Sequence, residues 1–282
     1  MIRFANAADK QEIVALWNIC FPDDSGFNQY FLENLFDLRN VLLLQMDGRI
    51  AAMTQMIPYQ MRNSAGKDEV FTYIYGACTH PEFRRRHLMS QLLEHFFQLD
   101  RSRGRAGSIL IPAEPGLFDF YAQFDYQPTF LLSTETTETF TSDSDIPQLS
   151  MLSNSHIRQL NDLYESAFQP TEGHLARSQQ VWKQQIEMFY AIGFGCVGLW
   201  GASGELCAYA FVWKPENGQV YAQELIARDD RSRDCMLRAI QAKAGAAQVK
   251  YSGPGETGQP LGCMKRYDNT VLTHAYMNLM LN

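Results

Sequence analysis

Apolar positions change period along this chain, and the changes mark its elements. In "ADKQEIVALWNIC", residues 8–20, Ile13, Leu16, Trp17 and Cys20 share one face of a helix. Residues 27–37 predict a second, shorter helix. "VLLLQMDGRIAAMTQMIPYQM" reads as strand, Asp-Gly turn, strand, and "EVFTYIYGACTH" as a third β-rich run with alternating aromatics. Leu88, Met89, Leu92, Leu93, Phe96 and Phe97 then form one helical stripe. "AGSILIP" predicts a buried strand, "LFDFYAQF" a short helix and "YQPTFLLSTETT" a returning strand.

The segment 133–155 is rich in Ser, Thr and Asp and holds a proline, which predicts a boundary there, with domains at 1–140 and 150–282. Past it the pattern gives helices at 156–168 and 176–192 and strands near 195–201, 206–213 and 219–227. A helix at 232–244 and a strand at 248–252 follow. Helices, a meander, a helix and a strand recur in the same order in both halves, so two related α/β domains are expected. "GPGETGQPLG", 253–262, reads as a flexible loop; it lacks the Gly-Lys-Ser/Thr of a phosphate loop.

Composition narrows the chemistry. The 282 residues are 46% hydrophobic, enough for two cores, yet no stretch of about 18 uncharged apolar residues occurs, so no membrane partner is expected. The N-terminus lacks an apolar signal-peptide core, and the six cysteines are scattered without a CxxC pair; both fit reduced thiols in a cytoplasmic protein. No metal-ligand spacing is present. A net charge of -7 and a pI near 5.4 argue against nucleic acid, which needs a basic face.

Against that acidic background stands "PEFRRRHLM", residues 81–89, with Arg84, Arg85 and Arg86 in a row. The run lies between a predicted strand ending near Thr79 and a predicted helix starting near Leu88. A helix N-terminus exposes unpaired amides and about half a positive charge. Three arginines there are unfavourable for the helix itself. They make sense as forked donors around a bound anion.

These residues resemble the acetyl-CoA pyrophosphate loop of the GNAT N-acetyltransferases, P-x-x-(Q/R)-x-x-G-x-(G/A), with Pro81 and Arg84 matching. His87 stands at the first glycine position and Met89 at the second small one. "FYAQFDY", residues 120–126, is similar to that family's F-Y-x-x-x-G-F segment, with Asp125 at the glycine. The resemblance covers residues 1–135. The arginine run and the two-domain order resemble the tandem (Eis-like) branch, without its third domain. It implies two GNAT-like domains, each a mixed, mostly antiparallel sheet flanked by helices, the second degenerate and without CoA.

The resemblance further implies an acyltransferase that moves an acetyl group from acetyl-CoA to a primary amine, a small cationic acceptor, by direct attack. Arg84, Arg85 and Arg86 with the amides of His87, Leu88, Met89 and Ser90 would hold the pyrophosphate. Ala77, Cys78 and Thr79 would pair with the pantetheine arm, Cys78 as an ordinary strand residue. Tyr121 would donate toward the departing thiolate. Tyr73, Tyr75, Glu69, Glu114 and the Asp23-Asp24 pair stand as alternatives for a base. The second domain would cover the acceptor site or form a homo-oligomer face. A catalytically inactive GNAT-like CoA- or anion-binding sensor, altered at His87 and Met89, is the alternative function.

Overall fold

The computed structural model describes residues 1–23, 25–137, 146–168, 173–255, 258–272 and 274–278. The first half runs β1 (Ile2–Phe4), α1 (Lys10–Cys20), α2 (Phe27–Asn34), β2 (Val41–Met46), β3 (Arg49–Asn63), β4 (Asp68–Thr79), α3 (Leu88–Ser102), β5 (Gly107–Leu110), α4 (Leu117–Ala122) and β6 (Gln127–Thr136). The second runs β7 (Ser150–Met151), α5 (Ile157–Ser166), β8 (Gly173–Ala176), α6 (Gln179–Ala191), β9 (Gly195–Trp200), β10 (Leu206–Val212), β11 (Gln219–Ala227), α7 (Asp230–Ala244), β12 (Gln248–Gly253) and β13 (Gln259–Arg266). The fold class expected from the sequence is found. One local expectation is corrected: residues 259–262 of the anticipated flexible loop begin β13. Its inward residues Cys263 and Met264 lie beyond the loop-like Gly-Pro run that masked the strand.

The chain forms two compact units. The first holds the described residues of Met1–Arg62, Lys67–Thr129 and Gly262–Leu272; the second holds those of Asn63–Gly66, Phe130–Leu261 and Thr273–Asn282. In the first unit β1 to β4 pair antiparallel in succession, β4 and β5 pair parallel, and β13 returns antiparallel to β5. Asp47 and Gly48 close the β2–β3 hairpin with φ values of 52° and 78°, the left-handed pair a two-residue hairpin turn requires. The predicted stripe of α3 faces the sheet. Leu88, Leu92, Leu93 and Phe96 are buried against Leu42, Leu44, Ile74 and Leu110.

The second unit repeats this plan. β7, β9, β10 and β11 pair antiparallel in succession, β11 and β12 pair parallel, and β6 pairs antiparallel to β12. In each unit the crossover between the two parallel strands, β4 to β5 and β11 to β12, is a helix, α3 or α7.

Candidate active site

The parallel pair of the first unit comes apart. β4 matches β5 from Phe71↔Gly107 to Ile74↔Leu110, where β5 ends, while β4 continues to Thr79. On its other edge β4 stays paired with β3, through Tyr75↔Gln55, Cys78↔Met53 and Thr79↔Ala52. Between those pairs, Gly76 and Ala77 oppose Thr54 alone, a β-bulge that takes backbone out of the ladder. Gly76 has φ 59°, and a Cβ there would meet the Trp17 ring at 2.3 Å, so only glycine fits. Residues Tyr75–Thr79 thus leave β4's edge unpaired on the β5 side, the edge along which the resemblance would lay an extended chain at Ala77, Cys78 and Thr79.

The arginine loop follows directly. Pro81–Phe83 form a 3-10 turn that buries Phe83, and the guanidinium groups of Arg49 and Arg86 lie over its ring at 5.4 and 5.5 Å. Arg85 and His87 have positive φ, 62° and 56°, while Arg86 between them does not. Such alternation turns successive amides toward one concavity, a backbone anion nest. His87, the N-cap of α3, takes the left-handed conformation that a glycine would supply. No side chain caps the helix, whose first internal bond is Gln91 N–H to the His87 carbonyl at 3.1 Å. The Leu88, Met89 and Ser90 amides precede that bond and have no acceptor within the helix. Arg84 differs from its neighbours: its Nε donates to the Thr79 carbonyl at 3.2 Å. It braces the strand end as well as charging the loop.

Left-handed backbone costs a non-glycine residue on the order of 1 kcal/mol, more than the entropy that glycine adds to the unfolded chain. His87→Gly is therefore expected to raise the melting temperature, by about 0.5 kcal/mol of stability, with α3 intact by circular dichroism. A lowered melting temperature would show that the imidazole makes a stabilising contact that outweighs the strain.

Tyr121 lies on α4, buried in the same cluster as Ile74, Leu110 and Cys263, with Phe120 and Tyr126 packed edge-on at 5.2 and 5.7 Å. Burial, with Cys263 beside it, pushes its hydroxyl up to about 12, so it is a proton-bearing donor across the working pH range. The candidates for a base fare differently. Glu69 accepts two hydrogen bonds from Arg266, at 3.0 and 3.3 Å. Burial pushes the Tyr73 and Tyr75 phenols up, which removes them as bases. Asp23 accepts from the Ser25 and Asn28 amides at 2.9 and 2.8 Å. Burial works to raise its carboxyl, and these bonds with the Gly26 amide outweigh it and hold the carboxyl below its ordinary value. Asp24 lies outside the described residues, and Glu114 is exposed at the start of the α4 segment.

Two features had no sequence signal. The first is a cleft of about 600 Å³ between α1 and α2, lined by Phe21, Asp23, Gln29 and Glu33 among others. Behind it an aromatic cluster joins Trp17, Phe31, Tyr75 and Tyr73, with neighbouring centroids 5.0 to 5.7 Å apart. The second is Cys20, at the end of α1, whose thiol reaches the Thr79 carbonyl at 3.7 Å.

The second unit has the same frame with its anion position filled. β11 leaves β12 after Ala222↔Tyr251 and runs on to Ala227. Here α7 is capped by its own carboxylate, Asp229 accepting from the Ser232 amide at 2.7 Å, and Asp230 opens the helix. A phosphate at that helix end would meet two carboxylates. In the first unit it meets three arginines and uncapped amides.

Residues 1–129 match the acetyltransferase (GNAT) domain family. No curated protein matches the chain at a significant level. Among solved structures, a GCN5-related N-acetyltransferase from Anabaena variabilis is similar, with a TM-score of 0.74 at 13% identity, over 94% of this chain and 72% of that one. Eis1 from Mycobacterium abscessus is similar at 0.62 and 15% identity, over 93% of this chain and 66% of its own. The N-myristoyltransferase of Saccharomyces cerevisiae, solved with bound myristoyl-CoA, is similar at 0.60 and 10% identity, over 98% of this chain and 80% of its own. At such identities the likeness is one of fold.

Proposed function

We propose that the first unit, whose residues 1–129 match the acetyltransferase (GNAT) domain family, transfers an acetyl group from acetyl-CoA to the primary amine of a small cationic acceptor. The observation that carries this reading is the uncapped N-terminus of α3 beside the free edge of β4, one polar track from a phosphate nest to a strand edge. The nest of Arg85 to His87 and the amides of Leu88, Met89 and Ser90 hold the pyrophosphate, with the arginines adding charge-assisted hydrogen bonds. Arg84 holds the Thr79 carbonyl and so sets where the strand ends. The pantetheine amides pair along Ala77, Cys78 and Thr79.

The bulge at Gly76 and Ala77 turns backbone amide toward the thioester carbonyl, where negative charge develops as the amine attacks. Tyr121 donates a hydrogen bond to the departing sulfur. With a hydroxyl near 12 and a thiol near 8.5, full proton transfer costs about 5 kcal/mol. Its role is to stabilise the thiolate, which takes its proton from water. An amine with a pKa near 10.4 is neutral at pH 7 at a cost of about 4.6 kcal/mol, and since Glu69 and Asp23 are engaged, its proton leaves through water. The cleft with Asp23 and Glu33 supplies the negative field for a cationic acceptor. On this reading the protein has no membrane or nucleic-acid partner and works in the cytoplasm.

Calorimetry with acetyl-CoA, followed by turnover assays over polyamines, aminoglycosides and peptide amines, tests the reading. Saturable binding and amine acetylation are expected. Tyr121→Phe is expected to lower turnover about tenfold, the worth of one hydrogen bond to a charged group, with acetyl-CoA affinity within twofold. Absence of acetyl-CoA binding defeats the enzyme reading. Binding without turnover on any amine identifies the GNAT-like sensor instead.

A further inference from the structure

Two donors from distant segments meet at one carbonyl oxygen. The Cys20 thiol and the Arg84 Nε both donate to Thr79 O, at 3.7 and 3.2 Å, which brings the Cys20 side chain beside Cys78, the residue before Thr79 on β4. Cys20 ends α1, where the helix dipole disfavours a thiolate. The opposite is found: the Cys78 thiol, against the opposing effect of burial, and then the Arg84 guanidinium bring Cys20 down to about 7. Cys78 moves the other way, held as a thiol by Cys20 and by burial. One cysteine of the pair is thus drawn toward its thiolate and half-buried; the other is held as a thiol and buried. That is the division of labour between an attacking and a resolving thiol. The other buried cysteines, Cys196, Cys207 and Cys263, are pushed up by burial, which outweighs the nearby Arg177 at Cys196 and Arg228 at Cys207.

We propose that Cys20 is a redox-modification site, oxidised by hydrogen peroxide and resolved by Cys78 as a disulfide that closes the β4 edge to acyl-CoA. The Cys20 thiolate attacks one peroxide oxygen, the O–O bond breaks, and Cys20 becomes a sulfenic acid while the released hydroxide takes a proton to give water. The Cys78 thiol then attacks the sulfenic sulfur. An S–S bond forms, and the displaced hydroxyl leaves with the Cys78 proton as a second water. Two thiols supply the two electrons that reduce one peroxide. The bond ties the end of α1 to the segment that pairs with pantetheine and shifts the carbonyl that Arg84 holds, so the edge is no longer free. Only this last consequence rests on the acyl-CoA reading.

The test is hydrogen peroxide at equimolar amounts on the whole protein, followed by non-reducing peptide mapping. A Cys20–Cys78 linked peptide, lighter by two hydrogens and released by a phosphine reductant, is expected. Cys20→Ser should abolish it, and Cys78→Ala should leave a Cys20 sulfenic acid that dimedone traps. Links confined to other cysteines, or wild-type Cys20 found unmodified or as sulfinic acid, overturn the assignment. Acetyl-CoA calorimetry on reduced and oxidised protein completes it, with at least a tenfold loss of affinity expected on oxidation. Equal affinity overturns the closure. If the reduced protein binds no acetyl-CoA, the acyl-CoA reading fails while the mapped disulfide stands or falls alone.

Discussion

Arg177→Met is expected to destabilise the second unit by about 3–5 kcal/mol, because it leaves a carboxylate buried without its cation. Arg177 and Glu224 are both fully buried and paired twice, at 2.6 Å for each oxygen. The Tyr209 and Tyr276 hydroxyls donate to the same carboxylate at 2.8 Å each, and the guanidinium lies over Tyr164 at 4.2 Å and Trp182 at 4.8 Å. Burial opposes the Arg177 charge, and the Glu224 carboxylate overrides that and raises it well above its ordinary value. Removing the arginine leaves two phenols to satisfy a full negative charge in an apolar site. Replacing both partners, Arg177→Met with Glu224→Leu, is expected to be milder than either single change, since no charge is then stranded. Urea unfolding followed by circular dichroism reads both. A single-variant loss below about 1 kcal/mol would place the pair among weak, solvent-screened ion pairs.

Gly76→Ala is expected to cost about 2–5 kcal/mol, the sum of left-handed strain and overpacking. The added Cβ would stand 2.3 and 2.8 Å from two carbons of the Trp17 ring, itself buried against Phe31 and Phe21. Trp17 cannot retreat into that packing, so the bulge must flatten. Turnover should fall at least tenfold as the bulge amide leaves the thioester, while acetyl-CoA affinity changes less because α3 is untouched. Gly66→Ala is the control: φ is 75° with nothing within 4 Å of a Cβ, so it carries the strain alone. Equal stability losses in the two variants would show that Trp17 yields freely.

Local chemistry made much of this legible. The stripe of α3, the Asp-Gly hairpin and the β4 run depend on side-chain period and turn residues, which act over a few positions. The arginine loop was readable for the same reason: strand end, donors and helix start are adjacent in the chain. His87 was less so, because whether a non-glycine residue holds φ 56° depends on Phe83 anchoring the loop as well as on its own side chain. The choice among the candidate bases, left open by the sequence, needed distances. Glu69 is an available carboxylate until Arg266, 197 residues away, is placed against it.

By itself the sequence determined that the chain builds two similar mixed sheets and that one strand–helix junction is charged for an anion, since period, capping and charge are carried within each segment. Only the tertiary structure decided which groups act together. β13 joins the first unit's sheet from the far end of the chain, a Gly76 bulge is required by a tryptophan on α1, and Cys20 meets Arg84 at one carbonyl, next to Cys78. Such partners are set by burial and chain return over long separations, and no short-range pattern records them.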